Sequence, residues 1–149
     1  MTTRHNRIQI MHGVNLDQIG RRDPQHYGGI TFLKLERAID AFAADLGLDA
    51  RFFQTNHEGE FVEHLHRLDE VADGVIVNAG AWSHYSRAIG DALAFAGVPA
   101  VEVHLSDVMA RERWRHMSVL SEHCVATITG KGVDGYREAL VALRGKLRT

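Results

Sequence analysis

Short apolar runs alternate with longer stretches of helical period along most of this chain, and that alternation limits its fold more than any other feature. Residues 8–11 read as a first strand. From Thr31, which can cap a helix start, Leu35, Ala38, Ile39, Phe42 and Leu46 recur at three and four until Gly47 ends the pattern. Residues 50–54 read as a second strand, and Phe61, Val62, Leu65 and Leu68 mark a second amphipathic helix. Residues 74–77 are a third strand, 86–96 a third helix, 100–103 a fourth strand and 124–128 a fifth. Residues 133–147 close the chain as a helix, with Tyr136, Ala139, Leu140 and Leu143 inward. Strands separated by helices need crossover connections, and crossovers imply a parallel sheet.

The expected architecture is therefore α/β: a flavodoxin-like, three-layer, doubly wound fold with a five-stranded parallel sheet in the order 2-1-3-4-5. A length of 149 residues suits a single domain over 1–149. That length buries enough apolar surface to need no disulfide or metal staple. Hydrophobic residues at 45% and charged residues at 24% exclude disorder. No apolar run approaches the roughly 20 residues that cross a bilayer. The stretch 1–7 has no hydrophobic signal core after its basic residues, so a cytoplasmic protein is expected. The net charge of −2 shows no basic excess, which argues against a nucleic-acid partner. A single cysteine, Cys124, excludes an internal disulfide and a cysteine-rich metal site, and its apolar run makes it a small core residue.

Open α/β sheets bind ligands beyond the carboxyl ends of their strands, near the switch in strand order. Strand one runs into His12-Gly13-Val14-Asn15, strand three into Asn78-Ala79-Gly80-Ala81-Trp82-Ser83-His84, and strand four into His104-Leu105-Ser106. Three strand ends thus deliver two asparagines, glycines, histidines and a serine to one edge. Residues of about 20–30, with Arg21, Arg22, Tyr27, Gly28 and Gly29, are long for a plain connection and read either as a surface loop with a charge pair or as a lid. Two arginines near a tyrosine favour phenolate, which would serve as a base. Beyond strand four, Arg111, Arg113 and Arg115 offer a planar fork for a substrate carboxylate, and periodicity does not choose among them. Gly130-Lys131-Gly132 lacks the spacing of a phosphate loop. His64 and His66, two apart on a helix, point to different faces and make no metal site.

Taken in order, these blocks resemble the type II 3-dehydroquinate dehydratases from about Ile8 to Leu143. The blocks are His12-Gly13-Val14-Asn15-Leu16, Gly20-Arg21-Arg22, Tyr27-Gly28, Phe53 through Glu60, Asn78 through His84, Asp91-Ala92-Leu93, Glu102 through Ser106, Ala110-Arg111-Glu112 and Arg115. The resemblance implies a hydro-lyase that eliminates water from 3-dehydroquinate through an enolate, giving 3-dehydroshikimate, with no cofactor and no metal. That step serves both aromatic biosynthesis and quinate breakdown. It implies Tyr27 as base, Arg22 as the cation beside it, Asn15 as holder of the enolate-stabilising water and His104 as acid. Asn78, His84, Asp91, Leu105, Ser106 and Arg115 match substrate-binding positions, with the Leu105 and Ser106 backbone N–H groups serving a carboxylate. The partners implied are a small anionic substrate and further copies of the chain, in trimers built into a dodecamer, with Asp91 reaching a neighbour's site.

The sequence departs from the family text at His12, Val14, Asp17, Trp82, Tyr85, Arg87, Gly90, Met117 and Glu122. These positions are expected to line or flank the pocket. They raise an alternative: a divergent paralogue with the same base acting on a related cyclic hydroxy acid. The fold raises another, a flavodoxin-like module binding flavin mononucleotide, although the first loop lacks a hydroxyl- and glycine-rich phosphate cradle.

Overall fold

The computed structural model describes residues 5–148, so most of the N-terminal stretch read for a signal core lies outside the described residues. In chain order the elements are β1 (Arg7–His12), α1 (Pro24–Tyr27), α2 (Phe32–Asp45), β2 (Asp49–Gln54), α3 (Glu58–His66), α4 (Leu68–Val71), β3 (Gly74–Asn78), α5 (Arg87–Ala94), β4 (Ala100–His104), β5 (Ala126–Thr129) and α6 (Asp134–Arg144), with short 3₁₀ turns between them. The five strands form one parallel sheet in the order β2-β1-β3-β4-β5. That is the expected order, and it puts the switch between β1 and β3.

The three central strands are almost entirely buried, while β2 and β5 keep partly exposed residues as edges. Alternation along each strand then sorts side chains between two cores. Ile8, Ile10, Ile76, Val101 and Val103 pack with Leu35 and Ile39 of α2 and Leu140 and Leu143 of α6. Met11, Val75, Val77 and Ala100 pack with Phe61 and Leu65 of α3 and Ile89 and Leu93 of α5. No helix among the described residues is long and apolar enough to cross a membrane.

Several boundaries differ from the sequence reading, and the differences place the chemistry. β1, β3 and β4 each run further, so His12, Asn78 and His104 are the last residues of their strands rather than the first beyond them. The helix over 86–96 is shorter, starting after Ser86, whose hydroxyl accepts from the Ile89 N–H. The closing helix ends at Arg144. β5 starts at Ala126, so Cys124 precedes it and is only half-buried; its thiol donates to the Leu120 carbonyl. Burial, with Glu102 nearby, pushes that thiol up to about 12. His64 stacks on Phe53 and His66 on Phe95, two separate faces as their spacing requires.

Candidate active site

The segment read as a plain lid loop has structure. After 3₁₀ turns over Leu16–Arg21, Asp23 caps α1 by accepting from the Gln25 N–H at 2.9 Å, and Pro24 occupies its first turn. Gly28 ends the turn in a left-handed conformation, and Gly29 is left-handed too. Tyr27, the last residue of α1, is thereby aimed at the end of β4. The Arg111 guanidinium donates to its hydroxyl at 2.8 Å, and Arg22 lies over its ring with the guanidinium carbon 4.4 Å from the centroid.

At the end of β4, Glu102 and His104 share a face because they are two apart on a strand. His104 Nε2 lies 2.6 Å from a Glu102 carboxylate oxygen. That carboxylate is fully buried and also accepts from Ser118 at 2.8 Å and from Thr127 at 3.4 Å. A buried carboxylate held this way fixes the ring's orientation and turns Nδ1 away from Glu102. His84 stacks on His104 with centroids 5.6 Å apart and donates from Nδ1 to the Met117 carbonyl at 2.8 Å. Burial lowers the His84 pKa, and His104 and Arg115 nearby act in the same direction. Next in the chain, the Leu105 and Ser106 carbonyls accept from Gly132 and Gly130. The two groups of a trans peptide point opposite ways, so the Ser106 N–H is turned away from Gly132.

These residues enclose a small cavity lined by Arg22, Tyr27, Asn78, His84, His104, Leu105, Ser106, Arg111 and Arg115, together with Leu16, Gly80, Ala81 and Val108. Its volume is about 20 Å³, room for about one water. Eight of the ten expected site residues therefore meet here. Asn15 and Asp91 do not line it. Asn15 is exposed one residue before Leu16, in a left-handed conformation, with its N–H donating to Asn56 at 2.8 Å. Asp91 is exposed on α5.

Two participants were missing from the expected set. Arg111 lines the cavity as well as Arg115, whereas Arg113 is exposed outside it. Glu102 was legible only as a strand residue, and its spacing of two from His104 was the signal. None of the departures from the family text lines the cavity, but several flank it: Asp17, Trp82 and Tyr85 adjoin the lining residues Leu16, Ala81 and His84, and the Met117 carbonyl accepts from His84. His12 and Trp82 are buried in the two cores. Asp17 accepts from Asn56 and Gln18. Tyr85 and Met117 are exposed, and Glu122 pairs with His123 at the surface. Gly90 lies under the Val119 carbonyl, where a Cβ would lie 3.0 Å from the oxygen, tighter than an ordinary contact.

A family model described as dehydroquinase class II matches residues 6–144. The 3-dehydroquinate dehydratase of Syntrophotalea carbinolica is 46% identical over 137 residues, covering 91% of this chain and 93% of the relative. The type II dehydroquinase of Propionibacterium acnes superimposes with a TM-score of 0.88 at 40% identity, covering 94% of this chain and 97% of that one. The type II dehydroquinase of Butyrivibrio crossotus superimposes with a TM-score of 0.89 at 34% identity, covering 94% and 98%.

Proposed function

Because this chain belongs to the class II dehydroquinase family, we propose that it dehydrates 3-dehydroquinate with Tyr27 as base and His104 as acid. The observation that supports this is that Tyr27 and His104 line one cavity, with His104 held from behind by the buried Glu102. Ionised Tyr27 takes the proton alpha to the ketone, and the electron pair becomes an enolate. The enolate collapses to a carbon–carbon double bond as the hydroxyl on the neighbouring carbon leaves, taking a proton from His104 to depart as water. The proton on Tyr27 then returns through solvent to His104.

Each neighbour has a task in this reading. Arg111, donating to the Tyr27 oxygen, and Arg22, over its ring, stand against the negative charge the base carries. Glu102 orients His104 and faces any positive charge it takes on. Arg115 and the Ser106 N–H supply donors for the substrate carboxylate, and Asn78 and His84 hold its oxygens. Asn15 would hold the water that stabilises the enolate, entering the site when the segment around it shifts. A site of arginines and histidines suits an anionic ligand. A cavity the size of one water does not hold a six-membered ring, so residues of about 20–30 move as a lid to admit substrate. The absence of departures from the lining favours 3-dehydroquinate over a related cyclic acid. A cytoplasmic location and a trimer-based dodecamer, with Asp91 reaching a neighbour's site, complete the reading.

Ultraviolet absorbance tests it. Dehydration conjugates the new double bond with ketone and carboxylate, so the product absorbs where the substrate does not. Purified protein added to 3-dehydroquinate should produce a steady rise. A flat trace from folded protein would refute this reading and favour another cyclic hydroxy acid.

A further inference from the structure

Two buried residues behind the cavity, His12 and Tyr136, have no role in the reaction described above, yet they form a hydrogen-bonded chain that ends on Asn78, which lines it. His12 ends β1, Asn78 ends β3, and the two are register partners. Tyr136, in the first turn of α6, bonds to both. Its hydroxyl lies 2.9 Å from His12 Nε2 and accepts from Asn78 Nδ2 at 3.0 Å. His12 and Tyr136 are fully buried and Asn78 is 4% exposed.

The direction of this chain follows from one fixed donor. The Gly80 backbone N–H donates to Asn78 Oδ1 at 3.3 Å, and a backbone N–H can only donate. The amide is therefore oriented with Nδ2 toward Tyr136. The hydroxyl hydrogen then goes to His12 Nε2, the only other partner this oxygen has among the described residues. That nitrogen must carry a lone pair, so the imidazole proton sits on Nδ1. Burial holds the ring in this neutral form, pushing its pKa down to about 3. Nδ1 is buried without a partner, a destabilising feature that accompanies an acceptor at Nε2.

We propose that His12 and Tyr136 are positioning residues for Asn78: His12 accepts from Tyr136, Tyr136 accepts from Asn78, and the amide is held with its second Nδ2 hydrogen free for an oxygen in the cavity. The relay rests on the dehydration reading, because its consequence is felt at a bound substrate or its ordered water. It explains how a buried departure from the family text, His12, bears on the site without lining it.

The test is kinetic. Tyr136→Phe removes the middle oxygen, His12→Phe removes the final acceptor, and His12→Gln returns an acceptor. Losing one buried hydrogen bond predicts about a tenfold fall in kcat/KM for the first two, with His12→Gln recovering most of it. A purely structural role would lower the melting temperature and leave kcat/KM of the folded enzyme alone. Adding Tyr136→Phe to Asn78→Ala should cost nothing further, because the loss runs through Asn78. Unchanged kcat/KM in Tyr136→Phe, or the same loss in the Asn78→Ala background, would overturn the relay. Should Tyr136→Phe not fold, the His12→Phe and His12→Gln pair makes the same comparison: equal kcat/KM in both sinks the relay. Wild-type protein without turnover would remove the dehydration reading and the relay together; active wild type with insensitive variants removes the relay alone.

Discussion

At the scale of single residues, the site is built from groups whose neighbours leave them little freedom. Glu102 is buried with three side-chain partners, and His104 is the one with a face on the cavity. Glu102→Gln keeps the shape and removes the charge, so kcat should fall by about a hundredfold, within the usual range for losing an oriented acid. Unchanged kcat would show that His104 works without it. His12 carries a second prediction, on stability. Its pKa is pushed down to about 3 from 6.5 in the folded protein. As pH falls, the unfolded chain therefore binds the proton first. The stability this ring contributes is complete above pH 6.5 and is lost as pH falls toward about 3, at up to about 1.4 kcal/mol per pH unit. Urea unfolding across that window should show a shallower slope for His12→Phe than for wild type. Equal slopes would mean that the buried ring is not neutral in the folded state.

At the scale of elements, the site depends on two loops that interlock where β1 and β3 end. Gly13 passes so close to Ala79 that a Cβ would lie 2.5 Å from its carbonyl oxygen, and a Cβ on Gly80 would lie 2.6 Å from the Val14 oxygen. Gly80 is also left-handed, with φ of 63°. Gly80→Ala should therefore destabilise by at least about 2 kcal/mol, from strain and overlap together, measured by denaturant unfolding. A variant as stable as wild type would show that the loops separate easily. These elements also show what was readable in the chain. The sheet and its order followed from alternation, and the convergence of Asn78, His84 and His104 followed from strand ends. The turn that aims Tyr27 was written as Asp23-Pro24 and Gly28-Gly29, a cap and a stop that a reading of the segment as loop passed over. Arg111 was not separable from Arg115 by period, because the choice depends on irregular 3₁₀ turns after β4. Glu102 was hidden because a charged residue inside an apolar strand shows its purpose only once Ser118 and Thr127 arrive from distant parts of the chain.

At the scale of the whole molecule, the cavity is narrowed by its own side chains. Arg111 is engaged by Tyr27 and Ser106, and Arg115 by Glu112 and the Trp114 ring. In the proposed reading, the substrate carboxylate competes with these contacts for the two arginines. Asp91, exposed on α5 and outside the cavity, fits a role in a neighbouring subunit's site. Co-refolding Asp91→Ala with Tyr27→Phe should then give more activity than the average of the two alone, because some sites regain both groups. Activity equal to that average would mean each subunit works with its own residues. The central claim is that Tyr27 removes the proton alpha to the ketone, and one comparison tests it most directly. Turnover of 3-dehydroquinate by Tyr27→Phe, followed by ultraviolet absorbance beside wild type, should fall by about a thousandfold with the melting temperature preserved. Turnover by the folded variant close to the wild-type rate would contradict the account.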